Sequence, residues 1–156
     1  MNVFACDSNP VIAIMEVKPK IFLTCWPKAS FHGQGKKYSI MANPRMWEIG
    51  CGNVPACTPE LTWVLQWKAG ILPWDEYKLL YTEVLRNERF QDLGPGVLAS
   101  DKHELIVNGD TLLCCCSVQN ASEGRCHRTW LAPILLDAGW DIQLDGRGVE
   151  HEEVKK

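Results

Sequence analysis

Residues 112–138 read LLCCCSVQNASEGRCHRTWLAPILLDA. The first five are an apolar run of strand length, and a polar, glycine-containing loop follows them. The stretch then opens a helix on Cys126-His127-Arg128, with Leu131, Ile134, Leu135 and Ala138 recurring on one face. Strand, loop and helix in this order place a thiol, an imidazole and a guanidinium at a helix N-terminus, just past the end of a buried strand. That position suits anion binding or activation of a nucleophile. Gly139 ends the helix, and Pro133 inside it is expected to kink it or to confine its regular part to the last turns. Trp140, Ile142 and Leu144 alternate with Asp141, Gln143 and Asp145 as a final strand.

A strand, a helix and a strand so closely spaced imply a crossover and a mainly parallel sheet. Lys20–Cys25, KIFLTC, supplies another buried strand, and Val11–Met15 an edge strand limited by Pro19. Residues 38–55 carry turn signals and no sustained period. Thr58-Pro59-Glu60 marks the start of a helix over 58–70, with Leu61, Val64 and Leu65 as its apolar face and Gly70 as its stop. A second helix over 75–88 repeats Tyr77, Leu80, Tyr81, Val84 and Leu85. Asn108-Gly109 between two apolar runs predicts a β-hairpin leading into Thr111–Cys116. With the two helices covering the sheet faces, the expected fold is a three-layer, Rossmann-like α/β domain over 1–147. A charged tail follows over 148–156.

The chain has 156 residues, 46% of them hydrophobic and 22% charged, enough for one domain with a real core. A net charge of −3 argues against general nucleic-acid binding. No apolar run is long enough to span a membrane and no export signal is evident, so a cytoplasmic chain is expected. In that setting the eight cysteines read as reduced thiols. Seven tryptophans leave room for a homodimer interface without locating it.

Cys126, His127 and Arg128 admit three readings. Cys126, its thiol acidified by the helix dipole and neighbouring cations, is a nucleophile with His127 as its base or acid. Alternatively, Arg128 and the helix N–H groups hold a phosphate or carboxylate. In the third, Arg128 pairs with a carboxylate and His127 caps the loop. The spacing of Cys126 and Arg128 is not the C-x5-R of cysteine phosphatases, and neither a Walker A sequence nor G-x-G-x-x-G occurs. Cys114, Cys116, Cys126 and His127 are zinc-type ligands, but no C-x2-C pair exists, nor is C-x5-C at Cys51 and Cys57 specific; neither a metal nor a cofactor is expected. The loop after KIFLTC holds Lys28, His32, Lys36 and Lys37. If both strands run parallel, these basic groups are expected on the sheet edge that carries Cys126, where they would attract an anion. The alternative is a solvated surface loop.

The segment GDTLLCCCSVQNASEGRCHRTWLAPILLDAGWDIQLDG resembles the C-terminal signature of the domain-of-unknown-function family numbered 488, found in bacteria and phages. Its members carry a buried strand ending in Cys, a polar loop, and Cys-His-Arg opening a helix. A looser similarity reaches back through KKYSIMANPRMWEIGCGNVPACTPELTWVLQWKAG and WDEYKLLYTEVL, so that residues 20–147 are covered. Pro133 and the triple cysteine depart from the pattern. The resemblance implies a Rossmann-like fold and carries Cys126, His127 and Arg128 over as the site, with Cys114 and Cys116 beside them; it supplies no reaction.

Three functions are thus expected in order. The first is binding of a small anionic ligand, a nucleotide or nucleotide-derived signal, with Arg128 on phosphate and Trp26 or Trp47 stacked on a base. The family's phage members suggest sequestration of an immune signal as its setting. The second is a cysteine-dependent transferase or hydrolase using Cys126. The third is an interaction module presenting exposed tryptophans.

Overall fold

The computed structural model describes residues 17–25, 32–42, 52–114 and 126–149. The expected strand Val11–Met15, the residues Trp26, Lys28, Trp47, Cys51, Cys115 and Cys116, and the end of the expected tail lie outside them. The described chain is a mixed α/β fold with a five-stranded, mostly parallel sheet and three α-helices. The strands are β1 (Lys20–Cys25), β2 (Lys37–Ser39), β3 (Thr111–Cys114), β4 (Asp141–Leu144) and β5 (Arg147–Gly148). The helices are α1 (Leu61–Lys68), α2 (Trp74–Asn87) and α3 (His127–Asp137).

The order across the sheet is β2-β3-β1-β4-β5, and every pairing except β4 with β5 is parallel. The apolar strand β1 is therefore central, with Leu23 opposite Leu112 on one side and Ile21 opposite Ile142 on the other. Alternation sends Ile21, Leu23, Leu112, Cys114, Tyr38 and Ile142 to a single hydrophobic cluster. Trp130, Leu131, Ile134 and Leu135 of α3 fill that cluster from above, together with Tyr77, Tyr81 and Leu85 of α2. Phe22, Thr24, Thr111 and Leu113 point the other way and are also buried, as parallel strands require. On that second face Gln34 exchanges two hydrogen bonds with Thr111. Its N–H donates to Oγ1 at 2.7 Å, and the Thr111 hydroxyl donates back to the Gln34 carbonyl.

α2 forms as its spacing predicts, but its buried stripe is the i, i+4 series Tyr77, Tyr81 and Leu85, and Leu80 is exposed. α1 differs more. It starts at Leu61 after Glu60, and Leu61 and Leu65 face solvent. Of the expected face Val64 lies against the cluster, where Trp63 and Trp67 join it. The reason is aromatic: Trp67 sits 4.1 Å from Trp74, which stacks on Tyr77, which meets Trp130 edge-on at 5.1 Å. This ladder joins α1, α2 and α3 on the same side of the sheet, so α1 and α2 do not cover its two faces.

The hairpin expected at Asn108-Gly109 is not formed. The turn is there, with Gly109 at φ +93° and the Asp110 N–H donating to the Val107 carbonyl. It docks instead on the start of β1, where Asn108 Oδ1 accepts from Lys20 N–H and Gly109 N–H donates to the Lys20 carbonyl. β3, inserted between β1 and β2, has no edge left for the 105–107 run, whose Leu105 forms only an antiparallel bridge to Ala99. β2, placed by sequence in an irregular segment, is three residues long and owes its place to pairing with β3. β5 carries the sheet past the expected end of the domain, and the Val149 N–H still donates to the Ile142 carbonyl.

Candidate functional site at the carboxyl ends of β1, β3 and β4

β3 ends on Cys114, fully buried, and α3 begins after Cys126, which is 1% exposed. Cys126 is the residue at the helix N-cap, in an extended conformation and without a side-chain cap. The two sulfurs lie 3.3 Å apart. Arg128, the second residue of the helix, folds back on them, with Nη1 at 2.7 Å from Cys114 Sγ and 3.5 Å from Cys126 Sγ. Its other terminal nitrogen, Nη2, donates to both oxygens of Asp145 at 3.1 and 3.0 Å. Asp145 follows β4 in a left-handed conformation, φ +51°, with its N–H bonded to the Leu23 carbonyl of β1. The Thr24 hydroxyl donates to Asp145 Oδ1 at 3.1 Å. Three parallel strands and one helix thus converge their ends on a single buried guanidinium.

The electrostatics follow from that convergence. Burial alone weakens a guanidinium's charge; here the sulfurs of Cys114 and Cys126 and the Asp145 carboxylate outweigh it, and Arg128 holds its proton more tightly than a free arginine. His127 is held by the backbone of Ile40. Its Nε2 lies 2.9 Å from the Ile40 carbonyl, which only accepts, so Nε2 carries the proton. Its ring stands edge-on to Tyr81 at 5.6 Å. Burial pushes its pKa below the ordinary 6.5, and the opposing pull of Cys114 and of the carbonyl only partly offsets that. Nε2, already donating to Ile40, is not a base for Cys126; in this tautomer the acceptor nitrogen is Nδ1. Cys57, also buried, is a different kind of cysteine: burial raises its thiol to about 12, and its carbonyl accepts from the Tyr81 hydroxyl at 2.5 Å.

Of the residues expected at the site, the structure brings together Cys114, Cys126 and Arg128, with His127 adjacent. The basic residues after β1 do not stay together. His32 lies at the carboxyl edge, where a Cβ on Gly146 would meet its Nδ1 at 2.9 Å. Lys36 and Lys37 open β2 at the opposite edge, Lys37 level with Thr111 at the beginning of β3. Lys36 is 3.4 Å from Glu104 there. The chain reverses direction between β1 and β2, so a basic run next to β2 belongs to the amino ends of the strands. Lys28, Cys116, Trp26 and Trp47 lie outside the described residues.

Asp145 and Thr24 are the site residues that sequence reading missed. Asp145 looked like the outward member of an alternating strand. Its signal was positional: it is the carboxylate immediately after a strand that pairs in parallel with β1, whose other neighbour β3 ends on Cys114, and a turn glycine follows it. Among the described residues no cluster of three His, Cys, Asp or Glu side chains is arranged to hold a metal ion, and no helix is long and apolar enough to cross a membrane.

No protein-family model matches the chain, and neither a curated protein nor a solved structure is significantly similar to it.

What the arrangement can do is confined by its chemistry. A guanidinium 2.7 Å from sulfur favours the thiolate over the thiol, and the thiolate is the nucleophilic form. The site also lies at the carboxyl ends of β1 and β3, and the described residues that follow them in sequence lie on opposite faces of the sheet: α3 on the clustered face, Gln34 on the other. Open α/β sheets bind ligands in the crevice at such a reversal.

Proposed function

We propose that this protein is a cysteine-dependent transferase or hydrolase acting on a small anionic, nucleotide-like substrate, with the Cys114–Cys126 pair as its reactive centre. The observation that carries the reading is the 2.7 Å contact between Arg128 and Cys114. It moves the nucleophile from Cys126, at 3.5 Å, to Cys114. Arg128 positions and charges the sulfur, Asp145 and Thr24 fix the guanidinium, and Cys126 hydrogen-bonds the thiolate. The substrate class rests on the place of the pair at the carboxyl ends of the parallel strands β1 and β3, the edge at which open α/β sheets bind ligands. A three-layer Rossmann-like arrangement and kinship with the family numbered 488 belong to the same proposal.

The test is the pH profile of alkylation by iodoacetamide, followed residue by residue by mass spectrometry. A midpoint for Cys114 below the free-thiol value of about 8.5 is expected, with protection by a member of a nucleotide panel. A midpoint at or above that value would sink the reading.

A second reading, capture of an anion without chemistry, is favoured by one observation: α3 begins without a side-chain cap. Sequestration of a nucleotide signal is the form that the family resemblance gives it. Arg128 supports it less than the sequence suggested, because its charge is already matched by Asp145. Calorimetric titration with the same panel separates the two, since binding that survives Cys114→Ser belongs to this second reading.

A further inference from the structure

We propose that Cys114 and Cys126 form a peroxide-oxidisable dithiol, closing to an intramolecular disulfide when a small hydroperoxide reaches the site. This goes beyond the catalytic reading and needs no organic substrate. It rests on three features of the geometry: the 3.3 Å between the sulfurs, the guanidinium on one of them, and their burial.

A disulfide requires sulfurs about 2.05 Å apart, so roughly an ångström of closure is needed. One sulfur ends a strand held in the sheet. The other sits on an N-cap residue in extended conformation, whose carbonyl accepts the first hydrogen bonds of the helix, so that a small rotation of the side chain alone costs none of them. Arg128 makes the two thiols unequal, contacting Cys114 at 2.7 Å and Cys126 at 3.5 Å. The better-paired sulfur attacks, and the other resolves.

The electrons balance in two steps. The Cys114 thiolate attacks one oxygen of the peroxide, an S–O bond forms, and the O–O bond breaks. Sulfur is oxidised by two electrons to the sulfenic acid, and the departing hydroxide or alkoxide leaves as water or alcohol after protonation. The Cys126 sulfur then attacks the sulfenic sulfur, the S–S bond forms, and the released hydroxide takes up the Cys126 proton as water. Return to the dithiol needs an external thiol reductant. Burial of both sulfurs selects hydrogen peroxide or another small hydroperoxide over a bulky oxidant.

The experiment treats the full reduced chain with stoichiometric hydrogen peroxide, quenches in acid and measures the intact mass. A loss of about 2 Da is expected. Cleavage after Arg125 and Arg128 separates Cys126 from the peptide that holds Cys114, Cys115 and Cys116, and fragmentation of the bridged pair should assign the bond to Cys114. The Cys115→Ser/Cys116→Ser double variant should keep the bridge. Cys126→Ser should stop at a sulfenic acid on Cys114, trapped by dimedone. A bridge from Cys126 to Cys115 or Cys116, or addition of oxygen without the loss of about 2 Da, would overturn the proposal. Neither result depends on whether an alkylation profile or a nucleotide supports the catalytic reading.

Discussion

Arg128 and Asp145 form a buried ion pair in which one guanidinium nitrogen reaches both carboxylate oxygens, at 3.1 and 3.0 Å, with side-chain exposures of 0% and 6%. The pair locks the start of α3 to the end of β4, and through Thr24 to the end of β1. Removing one partner leaves the other charged and buried. Asp145→Ala is therefore expected to cost about 3–5 kcal/mol, read from urea unfolding. Neutralising both residues, as in Arg128→Met/Asp145→Ala, should cost less than the single change, because the stranded charge is removed while the left-handed backbone at 145 carries the same residue in both variants. A double variant as unstable as Asp145→Ala would show that the pair does not act as a unit.

Gly35 lies at φ +61° beneath the turn that precedes β3. A Cβ there would overlap the Gly109 carbonyl and lie 2.9 Å from Asp110 Oδ1. That carboxylate also accepts from the Lys36 N–H, and its other oxygen from the Val107 N–H. Gly35→Ala combines a left-handed backbone with a clash against a fixed main chain, and about 2–4 kcal/mol of destabilisation is expected. Amide exchange should quicken first in β2, whose attachment to β3 begins at this point. Unchanged protection at Tyr38 would contradict this.

The readable parts of the fold were those with a local cause. KIFLTC and TLLC are apolar in every register and could only be buried strands, and the stripe Tyr77, Tyr81, Leu85 could only be a buried helix face. Gly70 ends α1 where a positive φ is needed, here +79°. The errors have non-local causes. Asn108-Gly109 makes its turn, but β3 is claimed on both sides by β1 and β2, and no hairpin partner can enter. Leu61 and Leu65 have the right period but lose to Trp63 and Trp67, which lie against the core, Trp67 with its ring on Trp74 and close to Tyr77. At the site, the local triplet Cys126-His127-Arg128 was legible and its partners were not. Cys114 was named as a lesser member, and Asp145 looked like a surface acid until β4 was set beside β1.

Pro133 lies inside α3, which nevertheless runs unbroken from His127 to Asp137. The proline deprives the Thr129 carbonyl of its usual N–H donor and crowds the turn before it. The helix survives because the residues on either side, Trp130, Leu131, Ile134 and Leu135, are buried in the shared core. Packing outweighs a local cost of about 3 kcal/mol. Pro133→Ala should return part of it, a gain of about 1–2 kcal/mol after the lost ring contacts. A loss of stability on thermal unfolding would mean that the ring packs more tightly than its half-buried position indicates.

His127 gives the protein a pH dependence whose sign is fixed by its burial. In the folded chain its pKa lies below 6.5, because the desolvated ring resists charge and the pull of Cys114 and of the Ile40 carbonyl only partly offsets that. In the unfolded chain it titrates near 6.5. Above that value the ring is neutral in both states and contributes no slope. As pH falls below about 6.5 the unfolded chain binds the proton first, so its free energy drops and stability declines until the folded chain also protonates. Urea midpoints measured at pH 7.5, 6.5 and 5.5 (values bracketing the ordinary histidine pKa of ~6.5) should therefore fall only across the lower interval. His127→Gln keeps a donor for the Ile40 carbonyl and cannot titrate. It should lower stability at neutral pH, through the lost edge-on contact with Tyr81, and remove most of the decline between the two lower pH values. A His127→Gln protein that loses stability on acidification as steeply as the parent would assign the pH dependence to another group.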